Sequence, residues 1–290
     1  MEKEFDIVDE DLEEVHESHF FRKLFFFIIL IIALTVVYAR YVGTSGLLVK
    51  EYPIRSKKIT DNYNGFKIAH FSDFHYGRTT HLEELKNLVD DINKMKPDII
   101  VFTGDFIDRD THIDDTEMSK IIDELKKFNS TYGNYYVNGN HDNKFDKYYQ
   151  MFDSAGFNNL NNTYDVIYNT NNETILISGL GTKKNTLFLN EVFDNKKYNY
   201  TINIMHYPDY MDDVENYNFD LVLAGHSHNG QITIPFYGGI ITANNAKKYN
   251  KPHYKVKNSD LYISSGIGTS NFNFRLFNRP SYNLYRLIKK

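Results

Sequence analysis

The sequence predicts an α/β layered domain with a mixed sheet, placed behind a single membrane-spanning helix. Three observations carry that expectation. Eight short apolar runs, each bounded by Gly, Asp or Asn, recur between residues 66 and 288. The early runs alternate with segments of helical periodicity, the pattern of layered α/β domains. Ahead of them, residues 24–39 form a stretch of sixteen residues without a charge.

Residues 1–21 read as an acidic, mobile tail, because nine acidic side chains and one Lys leave little to bury in the first twenty residues. Residues 22–43 read as a transmembrane anchor. Arg22 and Lys23 precede the apolar run, and Arg40 near its end can snorkel to the interface. An acidic leader with no clear small-residue cleavage site argues for an anchor over a cleaved signal. Residues 44–64 read as a polar connector, and 65–290 as one domain without repeats or an internal linker. Its expected strands are FKIAHFS, DIIVFTG, NYYVNG, ETILISG, TINIMH, DLVLAG, DLYISSG and YNLYRLI. Between them, residues 81–96 repeat Leu82, Leu85, Leu88 and Ile92 at helical spacing until Pro97 stops the helix, and 115–128 follow the same pattern. The later half has more strands than helices, so the sheet is expected to be mixed.

Composition removes several functions. The chain has no cysteine, which excludes disulfides, thiolate metal sites and a Cys nucleophile. The net charge of −5 is concentrated in the first twenty residues, which carry −8. The remaining +3 matches Arg22, Lys23 and Arg40 beside the apolar run, so the body is close to neutral. It lacks the basic excess that a long phosphate backbone calls for, and no nucleic-acid partner is expected.

The chemistry gathers at the carboxyl ends of the strands. FKIAHFS is followed by Asp73 and His75, DIIVFTG by Asp105 and Asp108, and YYVNG by Asn140, His141 and Asp142. TINIM is followed by His206, and DLVLAG by His226 and His228. Open α/β sheets collect ligands outside these strand ends. No single dipeptide pattern here is informative, but five polar clusters at five strand ends are. In extended backbone, residues i and i+2 point the same way, so Asp73 with His75, and His226 with His228, could each face one centre.

D-x-H, G-D-x-x-D, G-N-H-D, a lone His and G-H-x-H, in that order, resemble the calcineurin-like metallophosphoesterase superfamily, from about residue 66 to the end. The apolar anchor, GHSHNGQITIPF and SSGIGTSNFNFRLFNRP are similar to its bacterial membrane-associated subgroup. Ser227 and Asn229 depart from the subgroup's usual GHTHGGQ, and Ser281 stands where Glu commonly follows the last Pro. The resemblance implies a four-layer α/β/β/α sandwich and two transition-metal ions of Mn, Fe or Zn. It implies Asp73, His75 and His228 around the first, Asn140, His206 and His226 around the second, and Asp105 bridging them. Carboxylate, imidazole and amide oxygen suit those metals. Two cations about 3.5–4 Å apart can activate a nucleophile and clamp a phosphoryl group during in-line displacement. His141 would then serve as proton donor or transition-state stabiliser, with Asp142 orienting its ring and Gly139 providing a sharp turn.

Other polar residues have blander readings. His70 is expected to pack within the sheet, and His81, His112 and His253 to be exposed. Asp108 is expected to support the site from outside, Arg109 to meet phosphate, and the aromatics of 270–277 to form core and rim. The sequence therefore describes a membrane-anchored phosphohydrolase cutting phosphoester or pyrophosphate bonds of a phosphorylated small molecule or lipid. A signal-anchor placement puts the catalytic domain outside the cell membrane. The alternative is a catalytically silent, membrane-tethered binding protein on the same fold, against which the complete ligand set argues.

Overall fold

The structure is a computed structural model that describes residues 6–169, 171–194, 196–234, 238–240 and 243–290. It opens with one long helix, α1 (Asp6–Val37), which passes through a π-helical turn at Tyr38–Val42 and stops at Gly43. The acidic stretch expected as a tail is thus helical from Asp6 onward. No Gly or Pro occurs before Gly43, so nothing in residues 1–42 breaks a helix.

Next comes a strand that the sequence reading missed. β1 (Leu48–Ser56) lies within the segment read as a connector, yet it pairs in parallel over nine residues with the last strand, from Leu48 opposite Ser281 to Ser56 opposite Lys289. The first sheet therefore draws residues 48–56 from the segment read as a connector. β1 is an edge strand, so Lys50, Glu51 and Arg55 can sit in it and Pro53 costs no ladder bond. Only Ile54 is fully buried, which is why no apolar run marks it.

The rest of the first sheet and its helices follow in order: β2 (Lys67–Phe71), α2 (Leu82–Lys94), β3 (Ile99–Phe102), α3 (Asp115–Leu125), β4 (Asn134–Tyr136), α4 (Tyr148–Ser154) and β5 (Phe157–Asn159). The second sheet is built from β6 (Thr163–Tyr168), β7 (Thr174–Leu180), α5 (Leu187–Phe193), β8 (Tyr200–Met205), α6 (Met211–Val214) and β9 (Leu221–Ala224). After a small hairpin, β10 (Thr233–Ile234) and β11 (Gly238–Gly239), come β12 (His253–Val256) and β13 (Ser259–Ile263). β14 (Ser281–Lys289) returns to the first sheet. The sheet orders are β1-β14-β2-β3-β4-β5 and β12-β13-β9-β8-β7-β6. Both are mixed: β14 runs antiparallel to β2, and β12 and β6 run antiparallel to β13 and β7.

Alternation along the strands builds the layers. Ile68, Ile99, Val101 and Tyr135 point inward against Ile177, Ile202, Ile204 and Leu223 of the other sheet. Their neighbours Ala69, Ile100, Phe102 and Tyr136 point outward against Leu88, Ile92, Ile121 and Phe152 of α2, α3 and α4. On the far side Leu176, Met205 and Val222 meet Leu189, Val192 and Met211 of α5 and α6. The result is the expected four-layer α/β/β/α sandwich. Each fully buried aliphatic side chain contributes about 1.5–3 kcal/mol to it. Because β2, β3, β4, β8 and β9 are buried on both faces, their sequences read as continuous apolar runs.

His70 lies wholly buried, with Nε2 at 2.8 Å from Thr103 Oγ1, and burial drives its pKa down to about 3. It is the packed sheet residue expected, and His81, His112 and His253 are exposed as expected.

Candidate metal centre

The loops after β2, β3, β4, β8 and β9 meet at one end of the sandwich. They bring together two sets of donor atoms, Asp73 with His75 and His228, and Asp105 with His206 and His226, each set within 4.8 Å. Asn140 joins the second set, with its side-chain oxygen 3.1 Å from His206 Nε2. Asp105 Oδ2 lies between the sets, 3.4 Å from His206 Nε2 and 3.9 Å from His75 Nε2. All seven ligand candidates therefore converge.

They converge by a different route from the extended backbone expected. Asp73, His75, Asp105, His226 and His228 have φ of 51°, 51°, 59°, 65° and 48°. Each sits in the left-handed region, at about 1–2 kcal/mol for a residue with a Cβ. Alternate residues share a direction because the chain curls, not because it extends. Asn229 also has a φ of 50°, a conformation Asn tolerates, which explains how it stands where the subgroup usually has Gly. Gly139 needs no positive φ. It is required by close approach, since a Cβ there would lie 2.1 Å from Asp105 Oδ1.

The outer contacts fix which imidazole nitrogen is free. His206 Nδ1 donates to the Thr103 carbonyl at 2.7 Å, and His226 Nε2 donates to the Asn244 carbonyl at 2.7 Å. A carbonyl can only accept, so His206 Nε2 and His226 Nδ1 are left as lone pairs. His75 Nδ1 lies 3.3 Å from Asp108 Oδ1, and His75 Nε2 then faces His228 Nε2 at 3.2 Å. The free nitrogens of His206 and His226 lie with the Asp105 carboxylate in one small volume, where a proton or a cation would satisfy them. Arg275 can only donate to His228 Nδ1 and so places the hydrogen of a neutral His228 on Nε2, toward His75. Burial lowers the His206 pKa, but the Asp105 charge overrides it and pulls it up to about 9. His228 is held well below the usual range by burial and by the charges of His75 and Arg275, which leaves a neutral ring suited to ligation. Burial raises the Asp73 carboxyl, whereas His206, His141 and His75 outweigh burial and hold Asp105 well below the carboxylate range. Carboxylate oxygens, an amide oxygen and imidazole nitrogens form a donor set that fits Mn, Fe or Zn.

The role expected for Asp142 is overturned. Its carboxylate does not reach the His141 ring. It accepts from the backbone N–H groups of Asp105, Phe106 and Gly139 at 2.8 Å each, and from Ile107 at 3.3 Å. Asp142 therefore ties the β3 loop to the β4 loop. Asp108 takes the place beside the ring, with Oδ1 3.4 Å from His141 Nδ1. Arg109 N–H also donates to His141 Nδ1, at 3.2 Å. A neutral ring accepting there carries its hydrogen on Nε2, and a charged ring carries one on both nitrogens. The charged ring is therefore the state in which Nε2 holds a proton whichever partner Nδ1 takes. Burial disfavours the charged ring, yet the Asp108 hydrogen bond and the Asp105 charge raise its pKa above the ordinary value despite Arg109.

A cleft of about 470 Å³ opens over these groups, lined by Asp105, Arg109, His141, Tyr207, Gln231 and Phe272 among others. Arg109 Nη2 lies 3.5 Å from His141 Nε2 and is steadied by Asn271 Oδ1 at 2.9 Å. Gln231 had no assigned role from sequence. Its amide donates to the carbonyls of Phe272 and Phe274 at 2.7 and 2.8 Å and accepts from Ser270 N–H at 2.9 Å, so it shapes the 270–274 rim. Arg275, within the 270–277 run, had no assigned role from sequence, yet its side chain is fully buried. Nη2 donates to the Ser265 and Gly268 carbonyls and lies 3.3 Å from His228 Nδ1. Its place in an aromatic run hid it.

A four-layer sandwich with this donor set at one end is the architecture of a metal-dependent phosphoesterase. The chain matches the calcineurin-like phosphoesterase family over residues 66–230 and belongs to it. It is 32% identical to the uncharacterized metallophosphoesterase YkuE of Bacillus subtilis over 259 residues, 86% of this chain and 88% of that one. It is 26% identical to the phosphodiesterase YaeI of Escherichia coli, covering 79% of this chain and 84% of that one. Identity is also 26% to the UDP-2,3-diacylglucosamine pyrophosphatase LpxG of Chlamydia trachomatis, covering 81% and 88%. The protein is thus a phosphohydrolase that uses divalent metal ions.

Proposed function

We propose that this enzyme is anchored in the cell membrane with its catalytic domain outside, and that it hydrolyses a phosphoester or pyrophosphate bond of a lipid-linked substrate. The observation that carries the chemistry is the convergence of two buried donor sets on Asp105 beneath a cleft holding His141 and Arg109. Asp73, His75 and His228 would hold one cation, and Asn140, His206 and His226 the other, with Asp105 serving both. When bound, two cations would polarise the phosphoryl oxygens and lower the pKa of an attacking water. Arg109 is placed to pair with a phosphoryl oxygen, and its bidentate fork suits that contact. Hydrolysis forms a bond from water oxygen to phosphorus and breaks the bond to the leaving oxygen. The His141 Nε2 proton goes to that oxygen.

Residues 19–42 support the anchor. They form an apolar helix long enough to cross a membrane, with a mean hydropathy of 2.5, whose most apolar eighteen-residue stretch is exposed and of which only Ala39, near its end, is buried. The lipid-linked substrate is supported by the exposed Phe272 at the cleft mouth and by the substrate named for LpxG. The near-neutral body gives a soluble polyanion no electrostatic pull.

The test is kcat/KM of the metal-loaded full-length enzyme in detergent, with a dispersed lipid pyrophosphate, its water-soluble headgroup analogue, and phosphomonoester and phosphodiester reporters. A clear preference for the lipid form, abolished by chelation, is expected. Equal values for lipid and headgroup would remove the lipid from the proposal. Protease shaving of intact cells should release the domain, and resistance until lysis would reverse the orientation.

A further inference from the structure

The end of the apolar helix is docked onto the rim of the site. Arg275 N–H donates to the Ala39 carbonyl at 2.9 Å. Gly43 lies so close that a Cβ there would fall 1.9 Å from the Arg275 carbonyl oxygen. Ala39 closes the uncharged run and stands three residues before Val42, about 4–5 Å inside the end of the 19–42 helix. If that helix spans a bilayer, the Arg275 backbone lies at the bilayer boundary.

What surrounds Arg275 is apolar and uncovered. Phe277, two residues on and so within about 7 Å along the chain, is 64% exposed. Leu276 pairs with Ile232 and accepts from Thr233 N–H, which places the β10–β11 hairpin beside it. Ile234 and Ile240 of that hairpin region are 48% and 53% exposed. Phe277 and Ile234 line a cavity of about 420 Å³ that also holds Lys50 and Lys251. Neither lysine meets a carboxylate among the described residues. Exposed aromatic and branched side chains flanked by lysines that have no carboxylate partner, Lys50 donating instead to Ser265 Oγ, and level with the end of a span, have the layout of segments that sit at the headgroup boundary.

We infer that Phe277, Ile234 and Ile240 form a second bilayer contact, which seats the domain on the membrane surface with Lys50 and Lys251 at the level of the lipid phosphates. This rests on reading 19–42 as a span. A docked span and a seated collar together would remove the swing expected of a flexible connector. They would hold the cleft, whose rim residue Phe272 is three positions from Arg275, beside the bilayer.

The chain has no Trp, so single substitutions give clean reporters. Full-length F277W, L30W and Y168W would be reconstituted into phosphatidylcholine vesicles containing phosphatidylglycerol and brominated phosphatidylcholine. Tyr168 is exposed on β6, the edge strand opposite β12, five strand spacings or roughly 24 Å away. The inference expects strong quenching of L30W, and F277W quenched by shallow bromines several-fold more than Y168W. Quenching of L30W with F277W no different from Y168W would overturn the seated collar and leave the span intact. An unquenched L30W would overturn the span and the inference with it. An F277W that is shielded from both lipid bromines and an aqueous quencher would place protein, such as a second copy, on this face and overturn the membrane contact.

Discussion

Asp73, His75 and His228 are buried and side chains stand behind both histidines, whereas Asn140 and His226 are only partly buried and the histidines on their side are backed by main-chain carbonyls. Asp108 stands behind His75 and Arg275 behind His228. Thr103 O and Asn244 O stand behind His206 and His226. The first half can therefore be weakened by mutating a residue outside the ligand set. The second half cannot, because its outer contacts belong to the backbone. Asp105 joins the halves, and Asp142 braces the loop that carries it.

Breaking both halves together gives the largest expected effect. Asp105→Ala removes the shared carboxylate, so metal content measured by elemental analysis should fall in both halves and turnover should drop to background. Retention of one equivalent of metal would show that Asp105 serves one half only. His141→Ala tests the cleft while leaving all seven ligand candidates in place. It should leave metal content unchanged and lower kcat by roughly 10²–10⁴-fold, the scale for a lost acid–base group. If the variant loses its metals, His141 belongs among the ligands.

Asp108→Asn sharpens the comparison from the first half. It removes the carboxylate charge that lies beside His75 and His141, and metal affinity should weaken by about 10–100-fold, as for other outer partners of ligating histidines. Titration with the metal should show the loss in one equivalent and not the other; equal weakening of both would refute the division. Thr103→Val is the matching test in the second half and should have the smallest effect. The carbonyl that holds His206 remains, so metal affinity should not change. Leaving the buried His70 nitrogen without its partner should cost about 1–3 kcal/mol, seen as a lower Tm. A large drop in metal content would mean that the hydroxyl, not the carbonyl, holds the second half.

Much of this was legible in the sequence. All eight expected strands and both helices of the first half exist, because strands buried on two faces and amphipathic helices announce themselves by local periodicity. β1 escaped because an edge strand with one buried residue, Ile54, has no such signature. The seven ligand candidates were legible as residue types at strand ends, but their geometry was not. Five positive φ values replaced the extended backbone expected for Asp73 with His75 and His226 with His228, and a close approach to Asp105 accounts for Gly139. Asp142 was misread because adjacency to His141 in sequence suggested a partner, while its carboxylate turns to four main-chain N–H groups.

The sequence by itself determined which donors exist, their order along the chain, a single apolar helix and a near-neutral body. These follow from side-chain chemistry and from patterns a few residues long. Only the tertiary structure decided that Asp73 lies beside His228, that carbonyls at Thr103 and Asn244 choose the free nitrogens of His206 and His226, and that Arg275 receives the end of the apolar helix at Ala39. Those contacts join segments far apart in the chain, many of them through the backbone, which is the same at every residue and leaves no mark in the sequence.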